Sequence, residues 1–295
     1  MKISFQVLFF AILSTLFVGC CSKPEPICFA VFADIQYADI PPTKVRFYHR
    51  SLELAKETTA AINASHARFV IGLGDLIDRN YDSYQPVFDV LSAMEVPIYH
   101  VAGNHDFNVL PEYKLKAYET LGMPSRYFIK QFGDWDFIFL DSNVLTTYAY
   151  LPDSEEHKFF GDLRKEKYSY AKVWNGGFAS EQLEWLSDHL AVAEKSGRKV
   201  ALFFHTPVYD DPVARGGAVD GPDLLEVIAR YPDTVKFVLA GHQHEGGYRQ
   251  VGNTHHLTIR GQIEAASPTY AIVEITDTTV TVSGFGEQPG HVWEL

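Results

Sequence analysis

The stretch Val235-Lys236-Phe237-Val238-Leu239-Ala240-Gly241-His242-Gln243-His244 decides the reading of this chain. A mostly apolar run, 235–240, has the character of a strand buried on both faces. It leads straight into Gly-His-x-His. In open α/β sheets, ligands gather beyond the carboxyl ends of such strands. The same grammar recurs upstream. The run 27–33 leads into Asp34-Ile35-Gln36, 68–73 into Gly74-Asp75, 96–101 into Gly103-Asn104-His105-Asp106, and 200–204 into His205. A single Asp after a strand is ordinarily a turn or cap residue. Five such endings in this order bring Asp34, Gln36, Asp75, Asn104, His205, His242 and His244 to one edge, as a cage for two metal ions.

The donor types narrow the chemistry. Carboxylate, amide oxygen and imidazole nitrogen together suit Mn, Fe or Zn. Two carboxylates leave two divalent ions with residual positive charge. That charge holds a phosphate and lowers the pKa of a bridging water, which then attacks phosphorus in line. His105, adjacent to Asn104 but outside the ligand set, is placed to protonate the leaving oxygen. Asp106 or another carboxylate would orient it. Asp78, Arg79 and Asn80 follow Asp75 closely and are either substrate contacts or a polar loop. His255 and His256 read as plain strand residues. The pair Gly216-Gly217 lacks the following Lys and Ser/Thr of a phosphate-binding P-loop.

Composition excludes several classes. With 25 Lys and Arg against 37 Asp and Glu, the formal charge is −12, and no basic run is present. Nucleic acid is not expected as a partner, because phosphate contacts dominate that affinity. The three cysteines stand at 20, 21 and 28 and none follows, which excludes a disulfide scaffold and a thiolate zinc site.

Periodicity supplies the scaffold. Tyr48, Leu52, Ala55, Thr59 and Ile62 recur every three or four residues and predict a helix over 43–64. Further helices are expected over 84–94, over 180–196 with Ser180 as cap, and over 222–230 with Pro222 in the first turn. Gly133-Asp134 between two aromatic-rich runs predicts a hairpin. The stretch 142–177 has no strong period. The C-terminal part, from 247 on, is all strand-like and reads as antiparallel. Together these predict two β-sheets packed face to face with helices on the outer faces.

Residues 1–19 form an apolar leader behind Lys2, with the proportions of a signal peptide. The segment Leu16-Phe17-Val18-Gly19-Cys20 resembles a bacterial lipobox, which implies cleavage before Cys20 and lipidation of its sulfur. A plain secretory signal and an uncleaved anchor are the other readings. All three place the domain outside the cytoplasm. Residues 20–26 are a Pro-containing tether, and 27–295 the domain.

Taken together, the five motifs resemble those of the calcineurin-like metallophosphoesterase superfamily. The resemblance implies a four-layer α/β/β/α sandwich of two mixed β-sheets. It implies that Asp75 bridges two metals, that Asp34 and His244 help bind one, and that Asn104, His205 and His242 bind the other. Gln36 stands where most members have His. Asp34-Ile35-Gln36-Tyr37-Ala38-Asp39, Arg46-Phe47-Tyr48-His49-Arg50-Ser51-Leu52 and Gly261-Gln262-Ile263-Glu264-Ala265 are similar to the manganese-dependent ADP-ribose/CDP-alcohol diphosphatases. That branch implies two divalent ions with Mn2+ preferred, and hydrolysis of a phosphoanhydride in a small nucleotide substrate. A broad phosphomonoesterase or phosphodiesterase is the alternative within the class. A non-catalytic phosphate-binding lipoprotein is the alternative outside it.

Overall fold

The computed structural model describes residues 25–209 and 216–295. The expected leader, Cys20, most of the tether and the start of the 213–221 loop lie outside the described residues. Along the chain run β1 (Ile27–Phe32), α1 (Tyr48–Asn63), β2 (Val70–Gly72), α2 (Tyr84–Leu91), β3 (Ile98–His100), α3 (Pro111–Lys114), α4 (Ala117–Thr120), β4 (Phe128–Phe132) and β5 (Trp135–Phe139). They are followed by α5 (Glu155–Lys167), α6 (Ser180–Lys195), β6 (Lys199–Phe203), α7 (Gly221–Ala229), β7 (Val235–Ala240), β8 (Gly247–Val251), β9 (Thr254–Thr258), β10 (Tyr270–Ile275), β11 (Thr279–Phe285) and β12 (His291–Glu294).

These strands make two mixed sheets, in the orders β12-β11-β10-β1-β2-β3 and β4-β5-β6-β7-β9-β8. In the first, β1, β2 and β3 are parallel. In the second, β5, β6, β7 and β9 are parallel. The sheets meet through aromatic side chains: the Phe29 ring lies 5.4 Å from Phe137 and 6.0 Å from Phe203, edge-on to both. On the far face of the second sheet, Leu202, Phe204 and Val238 pack against Leu186 and Leu190 of α6 and Leu224 of α7. Burying each such Leu is worth about 1.5–3 kcal/mol. Helices α1 and α2 bury Ala55, Ile62, Val87 and Leu91 in the cluster that holds the first sheet. The expected sandwich, with helices outside, is the observed one.

Several local expectations change. Helix α1 starts at Tyr48, not Thr43; the Thr43 hydroxyl instead accepts the Arg46 N–H at 2.9 Å and closes a turn. Ser180 makes no cap hydrogen bond. The N–H groups of Phe178 and Ala179 just before α6 go instead to the buried carboxylate of Asp220. The stretch 142–177 contains α5, capped by Ser154, whose hydroxyl accepts the His157 N–H. Its ends meet where Asn143 bridges Gly177. The C-terminal strands do not form one antiparallel unit. The hairpin β8–β9 extends the second sheet, with β9 parallel to β7, whereas β10 to β12 cross to the first.

Candidate metal centre and cleft

Sharp turns at the strand ends aim the predicted side chains inward. Asp34, Gln36, Asp75 and His242 all have positive φ, between 45° and 71°. L-residues pay for that conformation, and such strain gathers at functional sites. Close approach also demands glycine. A Cβ on Gly103 would lie 2.1 Å from Asp75 Oδ1, and Gly74 turns at φ 90° against Gly103.

All seven expected ligands come together, in two groups that share Asp75. In the first, Asp75 Oδ2, Asn104 Oδ1 and His242 Nδ1 lie 3.2, 3.3 and 3.2 Å from His205 Nε2. The opposite nitrogen of His205 is 2.7 Å from the Leu73 carbonyl. That carbonyl needs a donor, so Nδ1 carries the proton and Nε2 turns its lone pair on the group. Ligand atoms of Asp75, His205 and His242 all fall within 4.8 Å of one another. Without a cation, only a proton relieves this crowding. Burial opposes protonation of His205, but the Asp75 carboxylate outweighs it and lifts His205 to about 9. Burial and the charge on His205 push His242 down to about 3.

In the second group, Gln36 Nε2 lies 3.1 Å from Asp75 Oδ2 and 2.9 Å from His244 Nε2. Asp34 Oδ1 is 3.6 Å from His244 Nε2. Asp34 Oδ1 and Gln36 Oε1 are buried with no hydrogen-bond partner. Orphaned buried oxygens cost free energy unless a proton or a cation satisfies them. The residues therefore fit a pair of divalent ions. The sequence reading expected an amide oxygen from Gln36. Here the nitrogen faces the group, and a half-turn of the amide exchanges the two.

Two further carboxylates have settled roles. Asp106 does not orient His105. Its buried carboxylate accepts the N–H groups of Asp75, Leu76 and Gly103, at 2.9, 3.1 and 2.8 Å, and so ties two strand ends together. Asp78 holds the imidazole instead, with Oδ1 2.8 Å from His105 Nδ1, steadied by Asn108 at 2.9 Å. Burial favours neutral Asp78, but the bond to His105 outweighs it and lowers its pKa. Arg79 and Asn80 are exposed and lie outside the cleft lining. Glu264 was read only as part of a motif. It sits 2.8 Å from His244 Nδ1 and fixes that ring's orientation.

The cage floors a cleft of about 730 Å³, lined also by Arg46, Lys114, Tyr148, Trp174, Glu245 and Glu264. A cleft of about 810 Å³ between α5, α6 and α7 has apolar and acidic walls but no comparable group of ligands. His255 and His256 lie on β9, as expected of strand residues.

Two mixed sheets with oxygen and nitrogen donors gathered at their parallel strand ends suit chemistry on bound metal ions. Residues 28–246 match the calcineurin-like phosphoesterase family, and the chain belongs to it. It is thus a hydrolase acting on phosphoric esters or anhydrides. A manganese-dependent ADP-ribose/CDP-alcohol diphosphatase of Oryza sativa is 28% identical, over 86% of this chain and 89% of its own length. A 3',5'-cyclic-nucleotide phosphodiesterase of a Nostoc species is 30% identical, over 68% of this chain and 65% of its own. The solved dimetal phosphatase of Danio rerio shares the fold, with TM-score 0.79 and 24% identity, over 91% of this chain and 99% of that one.

Proposed function

We propose that this chain is a manganese-dependent diphosphatase that cleaves the phosphoanhydride of a nucleoside diphosphate-linked compound such as ADP-ribose or a CDP-alcohol. The observation that carries this reading is the composition of the cleft. It extends past the donor cage to two cations, Arg46 and Lys114, and to the half-exposed Trp174. A phosphomonoester fills only the cage, whereas a nucleoside diphosphate-linked substrate offers a second phosphate to a cleft cation and a ring to the aromatic edge. The full-length relatives named as ADP-ribose/CDP-alcohol diphosphatases and the Asp34-Ile35-Gln36 motif support the same substrate class.

Asp34, Gln36, Asp75 and His244 would hold one ion, and Asp75, Asn104, His205 and His242 the other. Such a pair supplies Lewis acidity toward the phosphate and lowers the pKa of water toward about 7. His105, aligned by Asp78, then holds a proton at Nε2 for the departing oxygen. The purified full chain with Mn2+ is expected to favour ADP-ribose or CDP-choline over cyclic nucleotides and p-nitrophenyl phosphate. The margin in kcat/KM should be roughly 10⁴-fold, the scale reached when polar groups of a site lose their partners. A preference for cyclic nucleotides would favour the phosphodiesterase reading, which the Nostoc relative supports.

We also propose export and anchoring through a lipid on Cys20, with 1–19 removed and 20–26 as the tether. Strand β1 begins at Ile27 and ends beside Asp34, so the tether joins the pole opposite the cleft. Seven residues span at most about 25 Å. An anchor at Cys20 would therefore hold the domain by the end of β1 opposite the cleft. Cys20→Ser should move the protein from the membrane to the soluble fraction or stop leader processing. A matured, membrane-bound variant would rule out the lipid.

A further inference from the structure

We infer that Lys114 recognises the second phosphate of the substrate, the one not seated on the metal cage. This rests on the diphosphatase reading and adds the residue that selects for it. Lys114 ends the four-residue helix α3, where no period marks it. Its ammonium donates to the carbonyl oxygens of Phe107, at 2.7 Å, and Tyr148. The first belongs to the turn that follows His105, and the second to the 143–177 loop. The ammonium is thus fixed between two walls of the cleft that it lines with Asn104 and His105.

Those two carbonyls use two of its three N–H donors. No described carboxylate forms an ion pair with it, in contrast to Arg46, which is 3.5 Å from Asp78. Arg46 is also 3.5 Å from His105 Nε2, so its charge is already directed at the catalytic pair. Burial works against the charged form of Lys114 and lowers its pKa. An anion in the cleft would offset that cost. In a protein of formal charge −12, a half-buried cation with carbonyl partners is poorly explained by folding alone. Carbonyls neutralise no charge, and a neutral side chain would fill the space at lower desolvation cost. A point charge with one free donor beside the metal cage suits a phosphate oxygen.

The test compares binding of AMP and α,β-methylene-ADP to the Mn2+-loaded full chain by calorimetry, in wild type, Lys114→Met and Lys114→Arg. Neither ligand needs to be turned over. Wild type should bind the diphosphate analogue more tightly than AMP. Lys114→Met should lose roughly 10- to 100-fold of affinity for the analogue, the worth of a hydrogen bond to a charged group, with AMP nearly unchanged. Lys114→Arg should keep most of the affinity. Equal losses for both ligands would assign Lys114 a structural role and overturn the inference. So would an unchanged margin. Failure to hydrolyse ADP-ribose and CDP-choline, with the analogue still held through Lys114, would overturn the substrate reading and leave this one standing.

Discussion

Asp75→Asn is expected to bring hydrolysis below detection and to remove the gain in thermal stability that Mn2+ confers. The expectation follows from the position of this carboxylate. Asp75 Oδ2 faces both donor groups, 3.2 Å from His205 Nε2 and 3.1 Å from Gln36 Nε2, so either ion would lose an anionic ligand with it. Its other oxygen accepts the His105 N–H at 2.7 Å. Asn preserves that acceptor and the side-chain shape, so the turn should stay in place. Burial raises the carboxyl pKa of Asp75, but the charges of His205 and His105 outweigh it and hold it well below the usual carboxylate range. Its charge in turn helps to raise Asp34 and Asp106, which burial already pushes up. Because its pKa is held down on balance, the charged Asp75 stabilises the metal-free fold through His205 and His105, so the metal-free variant should melt somewhat earlier than the metal-free wild type while still folding. A ligand at 100 times its Kd stabilises the folded state by about 2.7 kcal/mol. Wild type should gain on that scale from Mn2+, and Asp75→Asn should gain nearly nothing. Elemental analysis gives the direct reading: two metals per wild-type chain and far fewer in the variant. A variant that keeps both ions and its activity would remove Asp75 from the centre.

The centre was legible in the sequence because its parts are local. Each buried parallel strand leaves a continuous apolar run, and its polar end stands beside it in the chain. The sandwich followed from the alternation of strands and helices in the first half and the run of strands at the end. Long-range pairing was less legible. Residues 255–259 and 270–275 read equally as strands, yet β9 joins β7 and β10 joins β1. Helix α5 escaped because it shows little apolar face; its buried residue is Arg164, whose guanidinium goes to the carbonyls of Leu145 and Asn175. The Ser154-Glu155-Glu156 start and the basic last turn were signals of it nonetheless. Choosing between Asp78 and Asp106 as the partner of His105 needed the turn geometry. The 3-10 turn His105–Phe107 points adjacent side chains apart, so Asp106 meets backbone N–H groups while His105 meets Asp78. Glu264 and Lys114 reach the site from short elements without period, where a sequence offers no register to read.

His105→Ala is expected to lower kcat by roughly 10²- to 10⁴-fold for substrates with basic leaving groups, the usual worth of a positioned general acid. The ring is held at one nitrogen and open at the other. Nδ1 meets the Asp78 carboxylate at 2.8 Å, and Nε2 lies in the cleft with Arg46 3.5 Å away. Burial disfavours the imidazolium, but Asp75 and the bond to Asp78 outweigh it and raise the His105 pKa. The bond to Asp78 does not depend on the cage, so it holds the ring with Nε2 presented to the cleft. Because His105 lies outside the proposed ligand set, the variant should retain two metals and bind AMP normally. The decisive comparison is between leaving groups. An alkyl phosphate leaves as a strongly basic alkoxide and needs the proton. The p-nitrophenolate ion is stable without one, so the loss with p-nitrophenyl phosphate should be much smaller. Asp78→Asn should give an intermediate loss with the same dependence on leaving group, because it misplaces the proton donor without removing it. Equal losses of kcat across leaving groups, with both metals in place, would show that His105 stabilises the transferring phosphoryl group in the transition state instead. The proton would then reach the leaving oxygen from water.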